Sequence, residues 1–236
     1  MEQDARHGDA STIRWFLVLF EDNHLLIINK PVGMPSQGDE TGDLNAFDWA
    51  KEYVREKYNK PGNVYMGLIH RLDRPASGVL VLAKTSKAAA RLSKQFQDKK
   101  PQKIYWALTE RIPDQPHGEL KHFLKKLPNK NIMRAYNKEV HASKQAHLEY
   151  RVLQTAGKRA LLEVKLHTGR RHQIRVQLAS MGCTIVGDVK YGKTAFNPDK
   201  SICLLAREIT LEHPTLKTPV TVTAPMPEVH AWKDFV

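Results

Sequence analysis

Apolar runs and two-residue alternation predict a chain rich in short strands. Leu162, Val164 and Leu166 alternate with charged neighbours, as in a strand that buries one face. Turn-like clusters at 21–24 and 155–157 each separate two such runs, so the pattern predicts two hairpins. The predicted strands are 13–20, 25–29, 78–83, 104–108, 146–153, 160–167, 204–211 and 220–223.

Three other stretches carry apolar residues at intervals of three and four, the period of an amphipathic helix. The first begins after Asn45, and the second begins after Ser86; both residue types cap helix N-termini. The third follows Gly169 and ends at Gly182, a residue favoured just past a helix C-terminus. Their apolar positions are Phe47, Ala50, Val54 and Tyr58; Ala88, Leu92 and Phe96; and Ile174, Leu178 and Met181.

These elements predict the fold class. Strands and helices alternate irregularly, hairpins dominate, and no repeated βαβ unit is visible. The pattern therefore predicts an α+β fold, with a mixed, largely antiparallel sheet flanked by helices. We place one domain at residues 13–236 and expect residues 1–12 to form a flexible tail. With 236 residues, 41% of them hydrophobic, the chain can bury a core, which argues against disorder.

The charge is distributed unevenly along the chain. The formal net charge is +12, but the first 50 residues hold three basic and nine acidic side chains, a net −6 that leaves +18 for the rest. From Lys121 to Lys138 there are six basic residues and no acid. Concentrated positive charge attracts polyanions, so nucleic acid is the expected partner. No stretch shows the amphipathic basic helix of a membrane-surface protein, and we expect no membrane partner.

The remaining composition indicates a cytoplasmic protein. The longest apolar run, residues 15–20, is far shorter than the roughly 20 residues that span a bilayer. The polar, acidic N-terminus is unlike a secretory signal. Cys183 and Cys203 are too few for a disulfide framework and too far apart for a CxxC pair.

The sequence argues against a nucleotide-binding loop and against a metal site. Residues 187–194 match the GxxxxGK[ST] phosphate-binding loop, but Pro198 lies where the helix that must follow would run. We therefore interpret this match as an ordinary loop and expect no nucleotide cofactor. Neither HExxH nor a paired-cysteine motif is present, so we also expect no metal site.

One carboxylate stands out by its surroundings. Between Glu56 and Asp98 the only acidic residue is Asp73, which is set among eight lysines and arginines. Nearby arginines should keep this carboxylate ionised, which suits a nucleophile better than a general acid. The alternative is structural: Asp73 pairs with Arg71 or Arg74 and starts a Pro-Ala-Ser-Gly turn. Composition alone favours the structural alternative, because structural ion pairs outnumber catalytic carboxylates.

Four sequence motifs favour the catalytic interpretation of Asp73. Residues 70–78, HRLDRPASG, resemble the HRLDxxTSG motif of RluA-type RNA pseudouridine synthases, with Ala76 in place of the usual threonine. Residues 103–107 resemble the family's KxYxA segment, residues 168–175 its TGRxHQIR segment, and residues 187–192 its GDxxYG segment. The four motifs occur in the family's order and span most of the chain. The last of them also accounts for the phosphate-loop match.

The resemblance implies a role for residues in each motif. Asp73 aligns with the catalytic aspartate, which attacks the ribose or the base of a uridine so that uracil rejoins through C5 instead of N1. Tyr105 aligns with a tyrosine that stacks on uracil and is a candidate base for the C5 proton. Arg175 aligns with the arginine that pairs with the catalytic carboxylate, and Arg171, one predicted helical turn earlier, is an alternative for it.

Further positions in the same motifs are implied to contact the substrate. Arg71 aligns with the residue that fills the gap left by the extruded nucleotide, and Ile174 with one that packs against the base. Helical spacing alone would place Ile174 in the core. Arg74, Arg171 and His172 are also predicted to bind RNA. Gln177, where the family often has histidine, is interpreted as peripheral.

The predicted function is therefore isomerisation of uridine in ribosomal or transfer RNA, without cofactor or metal. The alternative is a non-catalytic RNA-binding protein that retains the fold. We expect a monomer similar to short family members without an S4 domain. The basic stretch 121–138 is predicted to be a loop or ribbon that contacts RNA, with a solvated surface excursion as an equal alternative.

Overall fold

Eleven strands and three α-helices are formed by the residues that the computed structural model describes, which are 17–128, 130–192, 197–228 and 230–235. The strands are β1 Val18–Glu21, β2 Leu25–Lys30, β3 Gly67–Leu68, β4 Ser77–Ala83, β5 Gln102–Thr109, β6 His117–Lys126, β7 Met133–Tyr136, β8 Lys144–Ala156, β9 Arg159–Leu166, β10 Leu204–Glu212 and β11 Pro219–Thr223. The helices are α1 Ala46–Lys57, α2 Ser86–Gln97 and α3 Gln173–Ser180, and a 3-10 helix covers His230–Phe235.

The strands form one mixed sheet in the order β1-β2-β4-β10-β5-β9-β8-β6-β7, with β3 paired to β4 and β11 to β10. Among the pairings described, only β4 with β10 is parallel. Both predicted hairpins are confirmed, since β1 pairs with β2 and β8 with β9 in antiparallel register. The predicted α+β class is also confirmed. Residues 13–16 of the first predicted strand, like the predicted tail at 1–12, lie outside the described residues.

Strand β4 separates two hydrophobic clusters. Val79 and Val81 face the larger one, with Leu92 of α2, whereas Leu80 and Leu82 face the other, with residues of α1. Successive strand residues point to opposite faces, so helices that cover both faces bury every residue of β4. The loop that leads into β4 is thereby anchored to the best-packed part of the molecule. No helix in the described part of the chain is long and apolar enough to cross a membrane.

The helix termini follow local capping chemistry. Asn45 caps α1 as predicted, because its side chain accepts a hydrogen bond from the backbone N–H of Asp48 at 3.0 Å. The prediction that Ser86 caps α2 is wrong by one residue. Thr85 is the cap, with its hydroxyl accepting from the N–H of Ala88, and Ser86 is the first helical residue.

Helix α3 corrects two interpretations from the sequence. It begins at Gln173, so Arg171 lies in the preceding loop and not one turn before Arg175 on the same face. Gln177 is fully buried, and its amide donates to the carbonyl of Leu120 at 2.9 Å. Gln177 is therefore not peripheral: it ties α3 to strand β6.

The basic stretch from Lys121 to Lys138 forms a ribbon, the second of the two shapes predicted for it. Strands β6 and β7 pair in antiparallel register over Phe123–Lys126 and Met133–Tyr136. Leu124 and Met133 pack with Val176 of α3, so the ribbon lies over that helix. The stretch thus borders the same helix that supplies Arg175.

Candidate active site

A cleft of about 1470 Å³ opens where the loops before β4 and α3 meet the start of β5. Its walls include Asp73, Tyr105, His172 and Arg175, which come from three separated stretches of sequence. Asp73 and Arg175 are 102 residues apart in the chain, yet their side chains are in contact. The cleft therefore brings together residues of all four motifs singled out in the sequence.

The loop that carries Asp73 is held by main-chain hydrogen bonds on both sides. The hydroxyl of Ser36 donates to the carbonyl of Leu72 at 2.9 Å and accepts from the N–H of the same residue at 3.0 Å. The N–H of Gly33 donates to the carbonyl of Arg74, and that of Ile202 to the carbonyl of Pro75. These contacts fix the backbone around Asp73, so its carboxylate is presented from a rigid support.

The buried side chain of Lys30 forms hydrogen bonds to the same loop and to the loop that follows β2. The Nζ of Lys30 donates to the carbonyls of Pro31 and Met34, each at 2.8 Å, and to that of Arg74 at 3.4 Å. Burial lowers the pKa of Lys30 to about 7, although the nearby carboxylate of Asp73 opposes that shift. Lys30 thus gathers the carbonyls of two loops at the floor of the site.

Arg175 bridges two carboxylates. Its Nε and Nη2 donate to the two oxygens of Asp188 at 2.7 and 2.8 Å, and its Nη1 donates to Oδ2 of Asp73 at 3.0 Å. Asp188 and Arg175 are almost fully buried, whereas the side chain of Asp73 is 25% exposed. The bidentate pair with Asp188 fixes the guanidinium plane, so one oxygen of Asp73 is held and the carboxylate remains accessible from the cleft.

His172 approaches the other oxygen of Asp73. Its Nε2 lies 3.9 Å from Oδ1 of Asp73, and its Nδ1 lies 2.8 Å from the hydroxyl of Tyr191. Burial lowers the pKa of His172 to about 4; the charge of Asp73 opposes that shift, and the charges of Arg175 and Lys190 add to it. The imidazole is therefore neutral near pH 7. Its backbone has a φ of +51°, a strained conformation for a residue with a side chain and one often found at functional sites.

Tyr105 extends from β5 toward the carboxylate. Burial raises its pKa, and the negative charge of Asp73 raises it further. The phenol is consequently protonated when the cleft is empty. Its ring also packs against both hydrophobic clusters, which fixes its position at the base of the cleft.

With this geometry in place, comparisons with known proteins decide the family. RNA pseudouridylate synthases match the chain over residues 24–180. This chain belongs to the RNA pseudouridylate synthase family. Members of this family are isomerases that convert uridine in RNA to pseudouridine, and that is the enzyme class of this chain.

Individual relatives agree with the family match. The chain is 34% identical to the ribosomal large subunit pseudouridine synthase C of Buchnera aphidicola, over 89% of this chain and 67% of that protein. It is 32% identical to the ribosomal large subunit pseudouridine synthase D of Pseudomonas aeruginosa, over 91% of this chain and 69% of that protein. The chain thus spans about two thirds of the length of these two relatives.

A solved structure shows the same fold. Human RNA pseudouridylate synthase domain containing 4 matches with a TM-score of 0.78 at 24% identity, covering 95% of each chain. The α+β architecture predicted from the sequence is therefore that of pseudouridylate synthases.

Four of the residues predicted to bind substrate lie away from the centre of the site. Arg71 and Arg171 are exposed at the cleft wall. Arg74 donates to the carbonyl of Gly33 and forms an ion pair with Asp43, so it is engaged by the rim loop. Ile174 is 4% exposed and packs in the larger core, the position that helical spacing alone predicts. Contact between Ile174 and a uracil base stays a prediction.

Sequence reasoning gave no role to Lys30, Asp188 or Tyr191. Asp188 and Tyr191 belong to the GDxxYG segment, whose only sequence signal was the motif itself. The contacts of Asp188 with Arg175 and of Tyr191 with His172 join residues 13 and 19 positions apart. Lys193 and Thr194 of the phosphate-loop match lie outside the described residues.

A second polar group is formed by residues of β8 and the residue that follows β9. His147, Glu149 and His167 place three possible ligand atoms within 4.8 Å of one another, the one such group among the described residues. The two imidazoles stack face to face with centroids 4.2 Å apart, and His167 already contacts Glu149 at 2.6 Å. Stacking and hydrogen bonding account for this arrangement, because parallel rings do not aim their nitrogen lone pairs at one point.

Proposed function

We propose that this chain isomerises uridine to pseudouridine in ribosomal RNA, with Asp73 as the nucleophile. The observation that carries the proposal is the environment of that carboxylate: one oxygen is held by Arg175, and the side chain is 25% exposed to the cleft. Support for ribosomal RNA comes from relatives that are named for the large ribosomal subunit.

In the proposed reaction Asp73 attacks either the ribose or the base of the uridine. The bond between N1 and the ribose breaks, uracil rotates within the cleft, and a bond from C5 to the ribose replaces it. C5 loses a proton, and N1 ends with one, so the product is an isomer of the substrate. Arg175 directs the carboxylate throughout, since its own orientation is fixed by Asp188.

Tyr105 has two proposed roles that act at different times. As a neutral phenol it offers an aromatic face on which uracil stacks. The charge of Asp73 is one of the two causes that raise the pKa of Tyr105. Because a covalent bond to the nucleotide removes that charge, the pKa of Tyr105 should fall once Asp73 has reacted. Tyr105 can then give its own proton to N1 of the detached uracil and, as a phenolate, take the proton from C5, so that the number of protons in the site is unchanged.

The target uridine must leave its base stack, which costs a few kcal/mol. Cationic side chains at the cleft wall, including exposed Arg71 and Arg171, would offset that cost by binding flanking phosphates. The ribbon that includes Lys121 and Lys138 borders the same site, and its contact with RNA stays a prediction.

The decisive experiment is Asp73→Asn. We expect no detectable pseudouridine in an unmodified large-subunit ribosomal RNA transcript, because an amide cannot replace the attacking carboxylate. RNA affinity should stay within about threefold of the wild type. Asp114→Asn is the control, since Asp114 is 82% exposed and forms only a surface ion pair with Arg111. Product formed by Asp73→Asn at the wild-type rate would contradict the assignment.

The same experiment addresses the alternative of a non-catalytic RNA-binding protein. That alternative requires that the wild-type chain bind the transcript and leave its uridines unchanged. Mapping of pseudouridine across all cellular RNA, with and without the gene, extends the test to transfer RNA, which stays a prediction from the sequence. One catalytic domain at 13–236, a monomeric state and a cytoplasmic location stay predictions as well.

A further inference from the structure

Lys103 is a cation of the cleft that the proposed mechanism does not use. It lies two residues before Tyr105 on β5, so both side chains project from the same face of the sheet, about 7 Å apart along the strand. Both line the cleft. Burial lowers the pKa of Lys103. A positive charge that is partly buried beside the proposed active site is costly unless a negative group pairs with it.

Three other cations of this region have partners within the protein. Arg175 pairs with two aspartates, Lys30 donates to three main-chain carbonyls, and Arg74 forms an ion pair at the rim. In the part of the chain that the structure describes, Lys103 has neither an ion pair nor a hydrogen bond through its ammonium. Desolvation of an unpaired charge is costly, so Lys103 is destabilising in the free protein.

The position of the ammonium leaves it open to a ligand. A Cβ added to Gly169 would lie 3.9 Å from Nζ of Lys103, which places the ammonium beside the loop before α3. The charge of Lys103 also lowers the pKa of His70, so it lies near the other catalytic loop. His70 is itself occupied, because its Nε2 accepts from the N–H of Val81. Lys103 therefore lies between the two loops, and no group among the described residues neutralises it.

We propose that Lys103 binds a phosphate of the RNA strand next to the target uridine. A phosphodiester supplies the single negative charge that this position lacks, and charge-assisted hydrogen bonds are strong where water is partly excluded. The inference rests on the proposed function, because it assumes that RNA occupies the cleft. Lys103 would then hold the strand in register while Tyr105, on the same face, meets the extruded base.

The test combines Lys103→Met with binding to a 12-nucleotide oligouridylate over a range of salt concentrations. Methionine keeps the apolar stem and removes the charge. We expect about tenfold weaker binding and a slope of log affinity against log salt that is smaller by about 0.7, the value for one phosphate on a single strand. With ribosomal RNA as substrate, KM should rise about tenfold, and kcat should stay within about twofold of the wild type.

Protein stability separates this role from a merely structural one. If Lys103 is an unpaired charge awaiting a ligand, Lys103→Met should unfold at the same or a higher urea concentration than the wild type. Lys87→Met is the matched control: Lys87 is exposed near the N-terminal end of α2, and its loss should change neither the binding nor the salt slope.

Three results would overturn the inference: unchanged oligouridylate affinity, an unchanged salt slope, or a loss of stability that parallels the loss of binding. The proposed function fails by a different result, namely wild-type protein that forms no pseudouridine in ribosomal RNA. The oligouridylate measurement does not depend on turnover. It therefore tests whether Lys103 binds phosphate even if the wild-type protein forms no pseudouridine.

Discussion

The hydroxyl of Tyr191 connects the ribbon, through His172, to the carboxylate of Asp73. It accepts a hydrogen bond from the N–H of Met133 on β7 and lies 2.8 Å from Nδ1 of His172. We expect the hydroxyl to donate its proton to Nδ1, because its oxygen already accepts from Met133. The neutral imidazole is then the Nε2–H tautomer, with Nε2 lying 3.9 Å from Oδ1 of Asp73. Tyr191 is therefore predicted to be a positioning residue that acts through His172.

Tyr191→Phe should lower kcat about tenfold and leave KM for RNA within about twofold. Removing the hydroxyl frees Nδ1 of His172 to carry the proton, and one neutral hydrogen bond is worth about 1 kcal/mol. Single-turnover rates measure the effect, and nitrogen NMR of the imidazole reports its tautomer, which a general loss of stability would not change. Tyr65→Phe, which removes an exposed hydroxyl, is the control. An unchanged tautomer in Tyr191→Phe would refute this role.

The sequence could predict individual motif residues and could not predict their partners. Asp73 was isolated as the one carboxylate in a basic segment, but its environment left Arg71, Arg74 and Arg175 as alternatives. The structure pairs it with Arg175, which is remote in sequence, and pairs Arg74 with Asp43 instead. Proximity along the chain is a poor guide to ion pairing when a sheet brings distant strands together.

At the level of elements, β10 approaches β4 closely just after the loop that carries Asp73. Gly78 of β4 pairs with Ala206 of β10 and has a φ of +112°. A Cβ at Gly78 would lie 2.3 Å from the carbonyl oxygen of Ala206. Glycine is therefore required twice, by its backbone conformation and by the space between the strands. The requirement falls five residues after Asp73, so the same contact fixes the loop that presents the carboxylate.

Gly78→Ala should destabilise the fold by about 3 kcal/mol or more, because positive-φ strain adds to a clash with backbone that cannot move aside. Urea unfolding measures the change. Gly157→Ala is a matched control: Gly157 also has a positive φ, of +57°, but nothing lies within 4 Å of an added Cβ. Gly157→Ala should lower the free energy of unfolding by only about 1 kcal/mol. Equal costs at the two positions would show that strand separation plays no part.

Element prediction succeeded where periodicity was strong and was least specific for the basic segment. Strand β4 and helix α1 were identified within one or two residues, because apolar spacing and a capping asparagine both indicate their positions. The segment from Lys121 to Lys138 has weak alternation, because many of its described residues are only partly buried, and the antiparallel pairing of β6 with β7 is what identifies it as a ribbon.

At the scale of the whole molecule, the uneven charge acquires a structural interpretation. The acidic residues of the first 50 positions that the structure describes include Asp39 and Asp43, which lie beside Arg74 at the rim. The basic remainder supplies the lysines and arginines that line the cleft. The sequence predicted a polyanion partner from charge, and the family match now assigns RNA as the substrate class. Charge counts could not indicate that Lys103 lacks a partner among the described residues, because an unpaired charge is a property of the folded molecule.

One ionic network joins β1, α1 and the end of β4, and it governs stability in acid. Burial alone would raise the pKa of Glu21, but hydrogen bonds from Lys57, Lys84, Tyr58 and Tyr53 outweigh burial and lower that pKa to about 2. Lys84 is almost fully buried, whereas Lys57 is 41% exposed. The network therefore combines a shielded ion pair with one that solvent partly screens.

Because the pKa of Glu21 is lower in the folded state than in the unfolded chain, its contribution is complete above about pH 4.5 and is lost as the pH falls toward 2. After allowance for screening at Lys57, that contribution is about 2 kcal/mol. Glu21→Gln should therefore be less stable than the wild type at pH 7, and the gap should close between pH 4.5 and pH 2. Urea unfolding at a series of pH values measures both curves. Glu52→Gln, which removes an exposed pair with Arg55, should keep the wild-type pH profile. If the wild type and Glu21→Gln lose stability in parallel as the pH falls, the network does not depend on ionised Glu21.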